Sequence, residues 1–400
     1  MLHAINGQTH RNVMISSGRR RPLERKQRGL RNFGLCRILL LLLGFAALAL
    51  HALHTRLFEQ WFAAKDTSSP PYHSTRWWLR HSSELSARSG AYDSTQRHPG
   101  PTLFRHPLAG STSRRANLAI ALADGYTGVQ LTPLLRSFRE RVAGSDAILV
   151  LLVQSEPVGL RQGLVDGESV ALQFFDESAL PLRWQRETPH AMRYFLYARY
   201  LRALGRNTNF QRVLWADSRD VIFQANPFHV VGDRDRACFF EEHHGKTLRS
   251  ERTNMHWVRD MYGERMLRDL GHKRISCSGF SVGGVHSMAT YLSMMLQGLQ
   301  SAPAFGEKLH EQHLLGYDQG VHNIIVHATM LDTDIEYELF NFTHGPVFHG
   351  NAVEEGMYTL DAAGDVCDLR GNKYAVVHQY DHVPALKGRL LAHWGSDKLK

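Results

Sequence analysis

Cysteine is scarce in this chain, four in 400 residues, and its spacing matches no metal-binding pattern. Cys238, Cys277 and Cys367 are separated by 39 and 90 residues, which excludes a compact zinc motif. No internal repeat is present, so a solenoid or propeller is excluded. Charge of one sign is also missing from most of the chain. The formal net charge is +9, but residues 1–37 hold nine basic side chains against one acid, Glu24, which leaves +1 for the other 363 residues. A near-neutral body offers no broad basic face, and nucleic-acid binding is excluded on that ground.

Long apolar runs are missing except one. Ile38–Leu50 is thirteen residues without a polar side chain, directly behind the basic tail. A bilayer-spanning helix needs about 20 apolar residues, and the run reaches that length through Leu57 by including His51 and His54. A cleaved signal peptide is the alternative, because Ala47-Leu-Ala49 resembles a cleavage site. The 37-residue leader is far longer than an ordinary signal-peptide head and favours an uncleaved anchor over 38–57. The basic flank stays cytoplasmic and the rest faces the lumen, as in a single-pass type II protein of the Golgi or ER membrane. In that oxidising compartment one disulfide and one free thiol are expected among the three later cysteines, with no pair singled out. Asn341-Phe-Thr343 is a glycosylation sequon consistent with a lumenal chain.

Residues 58–115 are rich in Ser, His, Arg and Pro and read as a stem; their Trp77-Trp78 pair reads as a local structural contact. From residue 116 to 400 the pattern predicts one catalytic-sized domain of alternating strands and helices. Leu118, Ile120 and Leu122 share one face of a strand, and Ala147–Val153, Ser169–Phe175, Arg212–Ala216, Ala237–Glu241 and Ser276–Val282 are further strands. Thr132-Pro133 predicts a helix start running to Val142, and Thr188-Pro189 another running to Leu204. On the latter, Met192, Phe195, Leu196, Tyr200 and Ala203 form an apolar stripe. Helices follow over Asn254–Leu270, over His286–Leu299 and from Asp318, and Tyr374–Gln379 is a late strand. This alternation predicts an α/β domain, a Rossmann-type, mostly parallel sheet covered by helices, which binds ligands at the carboxyl ends of its strands. Asp124, Asp217, Glu241 and Asp381 stand at such ends.

The sharpest feature is Val213-Leu-Trp-Ala-Asp217-Ser-Arg-Asp220-Val-Ile-Phe, an apolar strand that delivers two carboxylates into a turn. Magnesium and manganese prefer oxygen ligands and share their shell with substrate phosphates, so two carboxylates suffice if a diphosphate supplies the rest. The plain alternative is a turn capped by Asp217 with a surface ion pair between Arg219 and Asp220. Glu241-Glu-His-His244 carries ligand types without the spacing of a helical zinc pair, so its histidines are read as unligated and Glu241 as facing an acceptor.

The Asp217–Asp220 segment resembles the Asp-x-Asp region of GT-A-fold glycosyltransferases, with one residue inserted between the acids. Asp318-Gln319-Gly-Val-His-Asn323 is similar to the Asp-Gln-x-x-x-Asn helix start of the glycogenin-like and lipopolysaccharide-galactosyltransferase-like enzymes. Ser276-Cys-Ser-Gly279 resembles their Asn-Ser-Gly strand, and Val376-Val-His378 the late strand whose histidine completes the metal site. The resemblance implies a GT-A-like fold and a divalent cation, Mn2+ before Mg2+, held by Asp217, Asp220 and His378. It implies Asp318 and Gln319 beside the donor sugar as catalytic residues, and Arg193, Asn323, Asp124 and Tyr126 on the donor. The plain alternatives are a core histidine at His378, a helix cap at Asp318 and a solvated helix residue at Arg193. The function implied is transfer from a UDP- or GDP-sugar to a glycan, protein or lipid acceptor, with retention. A lumenal metal-dependent phosphodiester or pyrophosphate hydrolase and a non-catalytic nucleotide-sugar-binding protein are the rival expectations.

Overall fold

The computed structural model describes residues 103–104, 116–204, 209–232, 234–303, 305, 315–351, 353–354 and 356–395. The basic tail, the expected span over 38–57, Trp77-Trp78 and nearly all of the stem lie outside the described residues. Among the described residues no helix is long and apolar enough to cross a membrane.

In chain order the elements are β1 (Asn117–Leu122), α1 (Gly128–Arg141), β2 (Ala147–Val153), β3 (Val170–Phe174), α2 (Pro189–Leu204), β4 (Arg212–Ala216), β5 (Val221–Phe223) and β6 (Arg236–Phe240). Then come α3 (Arg252–Leu270), β7 (Phe280–Gly284), α4 (Val285–Ser301), α5 (Asp318–Ile324), β8 (Glu336–Phe340) and β9 (Val347–His349). The last are β10 (Thr359–Leu360), β11 (Val366–Cys367), β12 (Val376–His378) and α6 (Pro384–Leu390).

The fold is α/β. Seven strands form the central sheet in the order β3-β2-β1-β4-β7-β6-β8. All neighbours are parallel except at β7, which runs antiparallel to both β4 and β6. Alternation in the strands dresses both faces. Leu118, Ile120 and Leu122 pack with Met192, Tyr197 and Tyr200 of α2 and Tyr291 of α4. Ala119 and Ala121 pack on the other side with Leu131, Leu134, Leu135 and Phe138 of α1. The chain moves outward from β1 to β2 and β3, then returns to β4 on the far side of β1. The order therefore reverses between β1 and β4, the place where α/β sheets form a ligand crevice at the strands' carboxyl ends. A second sheet, β5-β12-β9, starts just past the turn that follows β4.

Several boundaries differ from the sequence expectation. Helix α1 begins four residues before Thr132, because Thr127 and Gln130 form a reciprocal capping box, and Pro133 lies inside the helix. Thr132 instead donates its hydroxyl to the Gly128 carbonyl at 2.7 Å. The buried face of α2 is wider than the expected stripe: Arg193, Tyr194 and Tyr197 are buried, whereas Ala203 is exposed. Leu103 and Phe104, placed in the stem by composition, are buried; Phe104 bridges Phe175, so the fold starts before residue 116. The expected disulfide is absent among the described residues. Cys238 in β6, Cys277 before β7 and Cys367 in β11 are each buried and free, held apart by the elements that carry them.

Candidate metal and donor site

The turn after β4 joins the two sheets. The Asp217 N–H donates to the Gly279 carbonyl at 2.8 Å, which keeps Asp217 on the central sheet. Ser218, the inserted residue, is buried and donates its hydroxyl to the Leu122 carbonyl at 2.8 Å, tying the turn to the end of β1. Asp220 then opens β5, and its carbonyl accepts the Gln379 N–H at 2.9 Å. Strand β12 runs antiparallel to β5 with His378 opposite Val221, which sets the imidazole beside both carboxylates. His378 Nε2 lies 3.2 Å from Asp217 Oδ2 and 3.8 Å from Asp220 Oδ1.

These three side chains each offer one ligand atom, all within 4.8 Å of one another. Two carboxylate oxygens and one imidazole nitrogen suit manganese, and magnesium with more of its shell left to water and phosphate. Burial raises the Asp217 carboxyl, but the Arg193 guanidinium and the His378 hydrogen bond outweigh it and hold the group below the usual range. Asp220 goes the other way. Burial pushes it up, and the charges of Asp217 and Asp381 add to that push against His378 and Arg219. The two neighbouring carboxyls are thus pushed in opposite directions, Asp217 by its cationic partners and Asp220 by burial and like charge. Arg219 is not primarily Asp220's partner; it pairs with Asp381 at 2.9 Å and lies 3.8 Å from Asp220.

Arg193 is buried within α2 rather than solvated. One arm of its guanidinium donates to Asp217 Oδ1 and the other to Asp318 Oδ2, the latter at 2.9 Å. Asp318 also accepts from the Ser278 hydroxyl at 3.2 Å, and its side chain makes no cap for α5. Gln319 accepts the Ser278 N–H at 3.3 Å and donates to both Glu242 and Asn254 at 3.2 Å. Asn323 grips both the N–H and the carbonyl of Ser276, so it holds the strand before Gly279 in register from inside the domain. Its side chain is fully buried.

Asp124 accepts both the backbone N–H and the side-chain amide of Gln154, bracing the ends of β1 and β2 at the crevice rim. Tyr126 is half-buried; burial raises its hydroxyl, with the Arg219, Asp217 and Asp220 charges acting on it from the same rim. The Glu241 carboxylate accepts from the Phe342 N–H at 3.4 Å, its one hydrogen bond among the described residues. Its neighbour Glu242 is the one that faces inward, accepting from Gln319, Asn351 and Gln379. Strand alternation allows one of the two adjacent glutamates to face inward, and the sequence reading chose the other. His243 and His244 stack on each other beside Phe342 and belong neither to the Asp217, Asp220 and His378 group nor to a second possible ligand group, Cys277, His349 and His378. Gln379 adopts φ 57°, a left-handed conformation rare outside glycine, and so bonds Asp220 with its backbone and Glu242 with its side chain.

Three further residues join the site: Gly279 and Cys277, from the Ser276–Gly279 stretch already singled out, and His349, which belongs to no motif of the sequence. Gly279 has no room for a side chain: a Cβ there would come within 2.4 Å of His378 Cε1 and 2.6 Å of Asp217 Oδ2. His349 lies 3.0 Å from His378, nitrogen to nitrogen, and Cys277 Sγ lies 3.7 Å from the same atom. Burial, then the charge of His378, lowers His349 well below the ordinary histidine range, and burial keeps the Cys277 thiol neutral. The apolar triplets ending in His349 and in His378 are alike in sequence, Val347-Phe-His349 and Val376-Val-His378, and that likeness was the available signal. Comparison with protein-family models and with curated proteins returns no match.

Proposed function

We propose that the protein is a metal-dependent glycosyltransferase of GT-A-like fold that moves a sugar from a nucleotide-diphosphate sugar to a glycan, protein or lipid acceptor in the secretory pathway. The observation that carries the proposal is the meeting of Asp217, Asp220 and His378 within one ligand sphere at the sheet's switch point. A divalent cation bound there neutralises charge on the departing nucleotide diphosphate. Asp217 and Asp220 bind with oxygens from two different sheets, and His378 closes the set from β12. Arg193 keeps Asp217 ionised and fixes Asp318 at the start of α5, where both line the path toward the sugar. Asp124 and Tyr126 meet the nucleoside at the rim. Asp318 and Gln319 hold the sugar against the acceptor, so that positioning rather than a separate base drives the transfer, with retention.

The test is incubation of the full chain with a panel of UDP- and GDP-sugars and candidate acceptors, with Mn2+ and with chelator. Acceptor-linked sugar formed only with the metal is expected. Nucleotide release without acceptor-linked sugar would assign a hydrolase instead, and turnover insensitive to chelator would overturn the metal site.

A further inference from the structure

His378 has both ring nitrogens committed, one on each side. Nε2 faces Asp217 and Asp220, while Nδ1 lies 3.0 Å from Nδ1 of His349. The two histidines are direct partners in the parallel pairing of β12 with β9, and both are fully buried. Their rings meet edge to face, with centroids 5.1 Å apart at 74°. The strands hold this arrangement from the backbone. The Gly350 N–H donates to the His378 carbonyl at 2.8 Å, and Gly350 has no space for a Cβ, which would fall 2.1 Å from the Gln379 carbonyl oxygen.

Only one proton fits between two nitrogens 3.0 Å apart. A histidine that ligates a cation through Nε2 must present a lone pair there and carry its hydrogen on Nδ1. The facing nitrogen of His349 must then be the acceptor. The other partner of that hydrogen, the Cys277 sulfur at 3.7 Å, is a weaker and more distant one. With Nδ1 accepting, the hydrogen of His349 sits on Nε2, which is buried with no hydrogen-bond partner among the described residues, so the contact with His378 is the ring's one hydrogen bond there.

We propose that His349 is a positioning residue for the metal centre: its Nδ1 accepts the Nδ1 hydrogen of His378 and fixes that ring in the tautomer whose Nε2 lone pair faces Asp217 and Asp220. The role rests on the metal reading of those three residues. Without the acceptor, the ligating tautomer buries an unpaired N–H. The other tautomer then gains, because its Nε2 hydrogen donates to Asp217 across the existing 3.2 Å contact and occupies the ligand position.

The experiment is Mn2+ titration of the full chain without donor, read from the electron paramagnetic resonance signal of the free ion, with melting temperatures measured alongside. His349→Phe keeps a planar ring and removes the acceptor; it is expected to weaken Mn2+ binding by about 10–100-fold. His349→Asn places a carboxamide oxygen near the Nδ1 position and is expected to bind close to wild type. His349→Gln is equally polar but extends past that position, and is expected to behave as Phe does. The Asn and Gln pair keeps the test decisive if the Phe variant fails to fold. Wild-type affinity in the Gln or Phe variant, or Asn as weak as Gln, would overturn the positioning role alone. No Mn2+ binding by the wild-type chain would overturn the metal reading, and this role with it.

Discussion

Arg193 donates to Asp318 at 2.9 Å from one arm while its other arm holds Asp217, so a single helix residue joins the carboxylate after β4 to the one that opens α5. Sixteen residues of α2 lie against the sheet to place it there. Arg193→Ala removes the shared cation and leaves Asp318 buried, and Asp217 part-buried, without their common partner. Breaking a buried pair from one side costs about 3–5 kcal/mol. Urea unfolding of the metal-free protein is expected to show a loss of that order, together with loss of sugar transfer. Arg193→Lys keeps the charge but lacks two forked arms, so it is expected to recover stability better than activity.

Asp220 should behave in the opposite sense. It is buried, its carboxyl is raised by that burial and by Asp217 and Asp381, and its ion pairs with Arg219 and His378 are both long, at 3.8 Å. Asp220→Asn removes a charge that the metal-free fold holds at a cost. The variant is expected to melt at or above the wild-type temperature without metal, and to lose both Mn2+ stabilisation and transfer. A fall in melting temperature without metal, with transfer retained, would assign Asp220 to the fold instead.

Gly279 is where backbone must pass closest to the site. An added methyl group meets His378 Cε1 and Asp217 Oδ2, which are two of the side chains that set the ligand sphere. Overpacking of this kind costs about 1–3 kcal/mol, and here the strain falls on the ligands. Gly279→Ala is expected to fold, to melt lower, and to bind Mn2+ more weakly by on the order of tenfold. Unchanged metal affinity would show that the ring and carboxylate can separate freely.

The layered part of the architecture was legible in the sequence because alternating strands and capped helices write their burial into local patterns. Arg212–Ala216 and Ala147–Val153 are strands over the same residues that periodicity picked out. Of the second sheet only β12 was legible, inside the late strand expected over Tyr374–Gln379; β5 and β9 are three residues each, too short for a period, and β5 finds its partner only at β12, far along the chain. The same distance hid the site's supporting residues. Glu242 and Cys277 sit in stretches singled out for their neighbours and His349 in none, and all three become meaningful only when β12 and the residue after it bring Gln379 to Glu242 and His378 to Cys277 and His349. The carboxylate pair stood out because both members come from one turn. The start of α1 was misplaced because Thr132-Pro133 carries a stronger local cap signal than Thr127, whose partner Gln130 had to be weighed with it.

His322 gives a prediction about pH that is independent of the metal ligands. Its ring, on α5, bridges the Tyr291 hydroxyl at 2.6 Å and the Ser276 hydroxyl at 2.8 Å and is fully buried. Burial, with the neighbouring His327 and Arg193 charges adding to it, pushes the imidazole down to about 3. An unfolded chain takes up that proton near 6.5, so the folded state binds fewer protons in the window between the two values. Stability contributed by the neutral ring is complete above about 6.5 and is lost as the pH falls toward 3, with a slope of about 1.4 kcal/mol per pH unit for the single proton. Urea unfolding from pH 7.5 to 5 is expected to show that loss. His322→Gln retains a buried polar group that cannot titrate, so its profile over the same range should be flatter by the contribution of that one proton. An identical slope in the two proteins would mean that other groups carry the acid sensitivity.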